Sequence, residues 1–149
     1  MPIWDIAIHA SKPIREYPLN SDTSLGAALK RERLSRGWTQ EQTGNYLGLL
    51  LPNYSRFEWN VHLPDIQKRK KINEFLKFNF WDDGTNSLSN KLLLYRIENQ
   101  LTAIECGTLI GVSRNTIKRI ELKIKVSFGM MEKVCTYLKA NSVVCFYNE

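Results

Sequence analysis

The chain has 149 residues, room for one ordinary domain or two very small ones, and its 43% hydrophobic and 24% charged residues describe a folded protein with a core. No uninterrupted apolar stretch approaches the ~18 residues that cross a bilayer, and Met1-Pro2-Ile3-Trp4-Asp5 lacks the basic start and apolar run of a secretory signal, so a cytoplasmic location is expected. Lys+Arg 21 against Asp+Glu 15 gives a net charge of +6, which favours a polyanionic partner such as nucleic acid.

Residues 1–24 hold Pro2, Pro13 and Pro18 and a slight acidic excess, the pattern of an irregular arm. From 25 to 80 basic residues outnumber acidic ones, and apolar positions recur at helical spacing (Leu25, Leu29; Ile66, Ile72, Phe75, Leu76), which predicts a first helical domain. The turn formers of 81–87, Trp81-Asp82-Asp83-Gly84-Thr85-Asn86-Ser87, read as a linker. A second helical domain with a C-terminal tail is expected over 88–149. The tail from Asn141 is β-prone, and two readings stay open: an edge strand pairing with a second chain, or a cover for the second core.

Sliding the second half over the first by 63 residues superposes one pattern. Arg33 falls on Arg96, Trp38 on Leu101, Thr39 on Thr102, Gln42 on Glu105, Gly44 on Gly107, Gly48 on Gly111, Arg56 on Arg119 and Glu58 on Glu121. Thr39-Gln40-Glu41-Gln42 and Thr102-Ala103-Ile104-Glu105 both have the form of a capping box, in which threonine hydroxyl and N3 side chain satisfy free backbone donors at a helix start. Gly44 and Gly107 would let another helix approach closely. Gly48 and Gly111 would end the helices in the left-handed conformation. After Gly111, Val112 would plug the core and Ser113 would cap a helix running to about Lys123.

Helix, tight turn, helix, twice in register, resembles the phage-repressor-like (XRE/Cro-type) helix-turn-helix family. The runs that carry the likeness are Trp38-Thr39-Gln40-Glu41-Gln42, Leu47-Gly48 and Arg56-Phe57-Glu58-Trp59, then Leu101-Thr102-Ala103-Ile104-Glu105, Ile110-Gly111-Val112-Ser113-Arg114-Asn115-Thr116-Ile117 and Arg119-Ile120-Glu121. The resemblance implies an all-α fold of two tandem bundles of four to five helices. It also implies a sequence-specific double-stranded DNA-binding protein acting as a transcriptional repressor, on the nucleoid when bound. Members pair an arginine of the first helix with the glutamate ending the recognition helix, so Arg33–Glu58 and Arg96–Glu121 are expected as structural ion pairs.

In that architecture the recognition helix enters the major groove and the start of the preceding helix meets the phosphates. In the second copy Arg114, Asn115, Thr116, Lys118 and Arg119 would contact bases; arginine can hold guanine through two acceptors and asparagine can do so for adenine. Thr102, Ser113, Lys123 and Lys125 would meet phosphates. The first copy departs from the family, with Leu50-Leu51-Pro52 where a polar cap is usual. Gln40 and Thr39 would meet phosphates there, with Asn53, Ser55, Arg56 and, on thymine methyls, Leu51 at the bases. Alternatively, these leucines face a protein partner, as in an antitoxin or adaptor built on the same scaffold.

Other conspicuous residues have plainer readings. Lys68-Arg69-Lys70-Lys71 is read as a solvated face rather than a phosphate patch. Trp38, Phe57 and Trp59 are read as core or staple residues. Cys106, Cys135 and Cys145 form no C-x-x-C pair, and His9 and His62 have no partner at ligand spacing, so neither a disulfide framework nor a metal is expected. No catalytic motif stands out, and no enzyme and no cofactor are expected. A homodimer through the tail or an apolar surface is an open expectation.

Overall fold

In the computed structural model, Ser24 opens the first helix. Its backbone is extended and its hydroxyl accepts the Ala27 N–H, satisfying a donor that has no partner inside the helix. The structure describes Pro18 and residues 20–140, so most of the expected arm and the tail from residue 141, with its β reading, lie outside the described residues. Within them the protein is all-α. The helices are α1 (Leu25–Ser35), α2 (Gln40–Leu47), α3 (Leu51–Glu58), α4 (Ile66–Leu76), α5 (Leu88–Glu98), α6 (Ala103–Ile110), α7 (Arg114–Glu121) and α8 (Phe128–Ala140).

The bounds of α1, α2 and α3 recur in α5, α6 and α7 after 63 residues. The reversals between helices recur too. Left-handed residues stand at Gly37 and Gln100, Gly48 and Gly111, and Asn60 and Lys123. Around them the same long-reach bonds close the helix ends: Trp38 N–H to Arg33 O and Leu101 N–H to Arg96 O, Val61 N–H to Arg56 O and Ile124 N–H to Arg119 O. Thr39 with Gln42 and Thr102 with Glu105 form reciprocal capping boxes, which start α2 and α6 at fixed points. A side chain on Gly107 would place its Cβ 2.6 Å from the Val112 carbonyl oxygen, and one on Gly44 would lie 3.0 Å from that of Leu49, so both turns press on their helices.

Two separate apolar clusters result. One joins Leu29, Leu47, Tyr54, Ile72 and Phe75 from α1–α4, with Trp38 packed against it; the other joins Leu92, Cys106, Ile117, Val134 and Leu138 from α5–α8, with Val112 packed against it.

Trp59 and the run 68–71 depart from expectation. Trp59 is 69% exposed, because α3 ends at Glu58 and the chain turns before the indole can reach the core. The helix expected to run to about Lys123 ends at Glu121 with Leu122 as its cap, and Lys123 takes the left-handed conformation. The segment 81–87 is anchored at both ends. Trp81 packs on the first cluster, and the Asn90 amide donates to Asp82 Oδ1 (2.8 Å) and Thr85 O (2.9 Å), tying the turn to α5. The run 68–71 is a set of ties rather than a solvated face. Lys68 donates to Gly48 O (3.3 Å), Arg69 to Pro64 O (3.1 Å), Lys70 pairs with Glu98 (2.8 Å), and Lys71 lies over the Tyr46 ring.

Candidate nucleic-acid interface

Burying a guanidinium requires a partner, because its desolvation is not repaid otherwise. Arg33 is buried in α1, and Glu58 at the end of α3 meets it twice, Nε to Oε1 at 2.5 Å and Nη2 to Oε2 at 3.1 Å. Tyr54 donates its hydroxyl to Glu58 Oε1 (2.6 Å), Gln40 its amide to Oε2 (2.8 Å), and Arg33 Nη1 reaches Trp38 O (3.1 Å). Burial alone would raise the Glu58 carboxyl, but the bonds from Arg33, Tyr54 and Gln40 outweigh it and hold the group below the ordinary value. The Tyr54 phenol is pushed up, by burial and by donating to that carboxylate. Part of this wiring recurs 63 residues on: Arg96 pairs with Glu121 and its Nε donates to Leu101 O (3.2 Å), while Ile117 and Ala103 stand at the positions of Tyr54 and Gln40. Each pair fixes the third helix of its set against the first.

α7 begins with Ser113, whose hydroxyl accepts the Thr116 N–H (3.2 Å) and bonds the Thr116 hydroxyl (3.0 Å). Both hydroxyls are therefore committed to the cap. Ile117 and Ile120 are buried, which leaves Arg114, Asn115 and Lys118 exposed around the other side. Arg119 is exposed, but its Nη2 donates to Lys125 O (2.7 Å) and so holds the loop after α7. Lys123 pairs with Asp83 (3.4 Å). Lys125 is exposed beside a groove formed by Leu88, Ile120, Ile124 and Phe128, with a volume of about 580 Å³.

The expected first-copy residues divide differently. Gln40 donates its amide to Glu58 Oε2, and the Ser55 hydroxyl donates to Pro52 O (3.1 Å). Leu50, at the cap position of α3, makes no side-chain cap bond and is 74% exposed, while Leu51 is 44% exposed. Leu51 lines a cleft with Thr39, Gln40 and Lys30; Asn53 and Arg56 line another with His62 and Lys68. In the second set Arg114, Lys118 and Thr102 share one cleft of about 620 Å³, whose far wall is residues 63–67 and Arg69 of the first set. Sequence reasoning missed that wall. Arg69 is the residue that signals it: its guanidinium sits 5.0 Å from the Trp81 ring centre, and burial holds it below its ordinary value.

Cys106 is fully buried in the second cluster, and desolvation pushes its thiol up to about 11, so it is a packing residue with little thiolate character. Among the described residues no group of three or more His, Cys, Asp or Glu side chains could hold a metal ion, and no helix is long and apolar enough to cross a membrane. His9 and Cys145 lie outside the described residues. No family model matches the chain, and neither does any curated protein or solved structure.

Proposed function

We propose that the protein binds double-stranded DNA in a sequence-specific manner through α7, on two tandem helix-turn-helix scaffolds, and that it acts as a transcriptional regulator of the repressor type. The observation that carries this reading is the face of α7. A short helix with a capped N-terminus is clamped by buried Ile117 and Ile120 and leaves Arg114, Asn115 and Lys118 exposed with no hydrogen-bond or ion-pair partner among the described residues, Asn115 outside and Arg114 and Lys118 within the open cleft bordered by residues 63–67. Free bidentate donors at the start of a rigid helix suit base edges in a major groove. The turn from α6 through left-handed Gly111 into α7, and its counterpart through Gly48, supports the scaffold.

The test is selection of bound sequences from random duplex DNA by the full chain, followed by affinity measurements over a range of salt. Binding that falls steeply with salt is expected, and Arg114→Ala should cost about 1–3 kcal/mol on the selected site and relax one base position. An Arg114→Ala variant that binds the selected site as the parent does would remove α7 as the reader.

For α3 a second reading has its own support. Exposed Leu50, Leu51 and Trp59 suit a protein partner better than a phosphate backbone, so the first set serves assembly or adaptor contacts while the second reads DNA.

A further inference from the structure

The two sets of helices meet through different surfaces. On one side stand residues 63–70, with Asp65, Arg69 and Lys70; on the other stands the cleft where α5, α6 and α7 converge, with Arg96, Arg114, Lys118 and Glu121, and with Glu98 at its edge. Shifted by 63 residues, each surface has a counterpart elsewhere in the chain. The first set has its own cleft of about 520 Å³ among α1, α2 and α3, lined by Lys30, Arg33, Thr39, Leu51, Glu58 and Trp59, and among the described residues only the first set contributes to it. The counterpart of 63–70 is 126–133, where Phe128 is 74% and Met130 37% exposed. We propose that the α1–α3 cleft of one copy receives residues 126–133 of a second copy, in the register that joins the two sets within a chain, so that chains associate head to tail.

The two free surfaces match each other by apolar contact more than by charge. Inside the chain Asp65 borders the cleft that holds Arg114 and Lys118, an opposite-charge arrangement. Between chains the same positions are Phe128 against Leu51 and Ser55, so charge is lost at all three, and exposed Phe128 and Leu51 put apolar surface on both walls. Inside the chain Arg69 lies within the field of Glu121 and shares the cleft with Leu93; between chains Glu132 stands at the position of Arg69 and Lys30 at that of Leu93. The contact is therefore apolar at its centre, with Glu132 and Lys30 as its one new opposite-charge pair; the Lys70–Glu98 pair is not repeated, since Lys133 and Ser35 stand at those places, and Glu58, at the position of Glu121, is already held by Arg33. Because it uses two different patches, it continues past two copies or closes into a ring, unlike a two-fold dimer. It stands without the DNA reading and is tested without DNA.

The experiment is sedimentation velocity on the full chain, on Leu51→Asp and on Phe128→Asp, up to about 1 mM, where even weak association registers. Both positions are exposed, and circular dichroism melts check that the variants fold. Wild type should grow with concentration beyond a dimer. Each variant alone should stay at the 17.3 kDa of one chain, and an equal mixture should form dimers and stop there, since one intact patch remains on each partner. Lys30→Glu and Glu132→Lys should each weaken assembly, by roughly fivefold as for a rim ion pair, and the double variant should restore it. A wild type that stays monomeric, a mixture that stays monomeric, or a single variant that still assembles would each overturn the proposal.

Discussion

Glu58 accepts from Arg33, Tyr54 and Gln40 at once, and its side chain is 2% exposed. Its folded value lies below the ordinary 4.5, so the unfolded chain takes up the proton first. The stability this group contributes is complete above the ordinary value and is lost as pH falls through it towards the lower folded value. Glu58→Gln leaves Arg33 buried without a counter-charge and should cost about 3–5 kcal/mol at neutral pH. Urea unfolding at stepped pH should also show a shallower acid limb in the variant; an unchanged limb would assign the acid sensitivity to another group. The Arg33–Glu58 and Arg96–Glu121 pairs were legible because the resemblance implies such a pair and both copies hold arginine and glutamate at equal separation. The bond from Gln40 was not, since nothing in the local sequence of α2 announces that the end of α3 will lie within reach. Trp59 misled for a related reason: apolar character predicts burial only while the helix continues, and α3 stops one residue earlier.

At the scale of elements, the capping boxes and the left-handed glycines fixed where helices start and stop, which is why the helix bounds repeat with the sequence offset. The end of α7 was harder to read, because Lys123 adopts at a cost of roughly 1–2 kcal/mol a conformation that glycine takes freely. The two close-packed turns differ in tightness. Gly107→Ala gains about 1 kcal/mol of helix propensity but drives a Cβ into backbone at 2.6 Å, and a net loss of about 1–3 kcal/mol is expected. Gly44→Ala, with its nearest backbone atom at 3.0 Å, should lose less. Thermal melts of the two variants check the order, and the reverse order would show that the α6–α7 turn yields more easily than the α2–α3 turn.

For the whole molecule, the repeat foretold two clusters but not how they meet. That junction is built from residues distant in sequence, and the groups that meet across it, Lys70 bonded to Glu98 and Arg69 in the field of Glu121, sit in a run of four basic residues that reads as solvated surface. Arg69→Ala removes the stacking on Trp81 and the bond to Pro64 O, at an expected cost of about 1–3 kcal/mol. Both contacts lie on the first set's side of the junction, so calorimetry should show the first set unfolding at a lower temperature, with the Lys70–Glu98 pair still joining the sets; an unchanged melt would mean that the stacking and the bond contribute nothing to stability.

The brevity of α7 carries a further consequence for the proposed reading. Eight residues span about 12 Å, close to the width of one major groove and the rise of only three to four base pairs. A word that short recurs throughout any genome, so selectivity has to come from the number of helices laid on one site. Copies related by a two-fold axis would spell the word forwards and then backwards. Copies joined head to tail would spell it twice in the same direction, and an operator made of direct repeats, with a spacing set by the length of one chain's body, is the genetic signature such an assembly would leave.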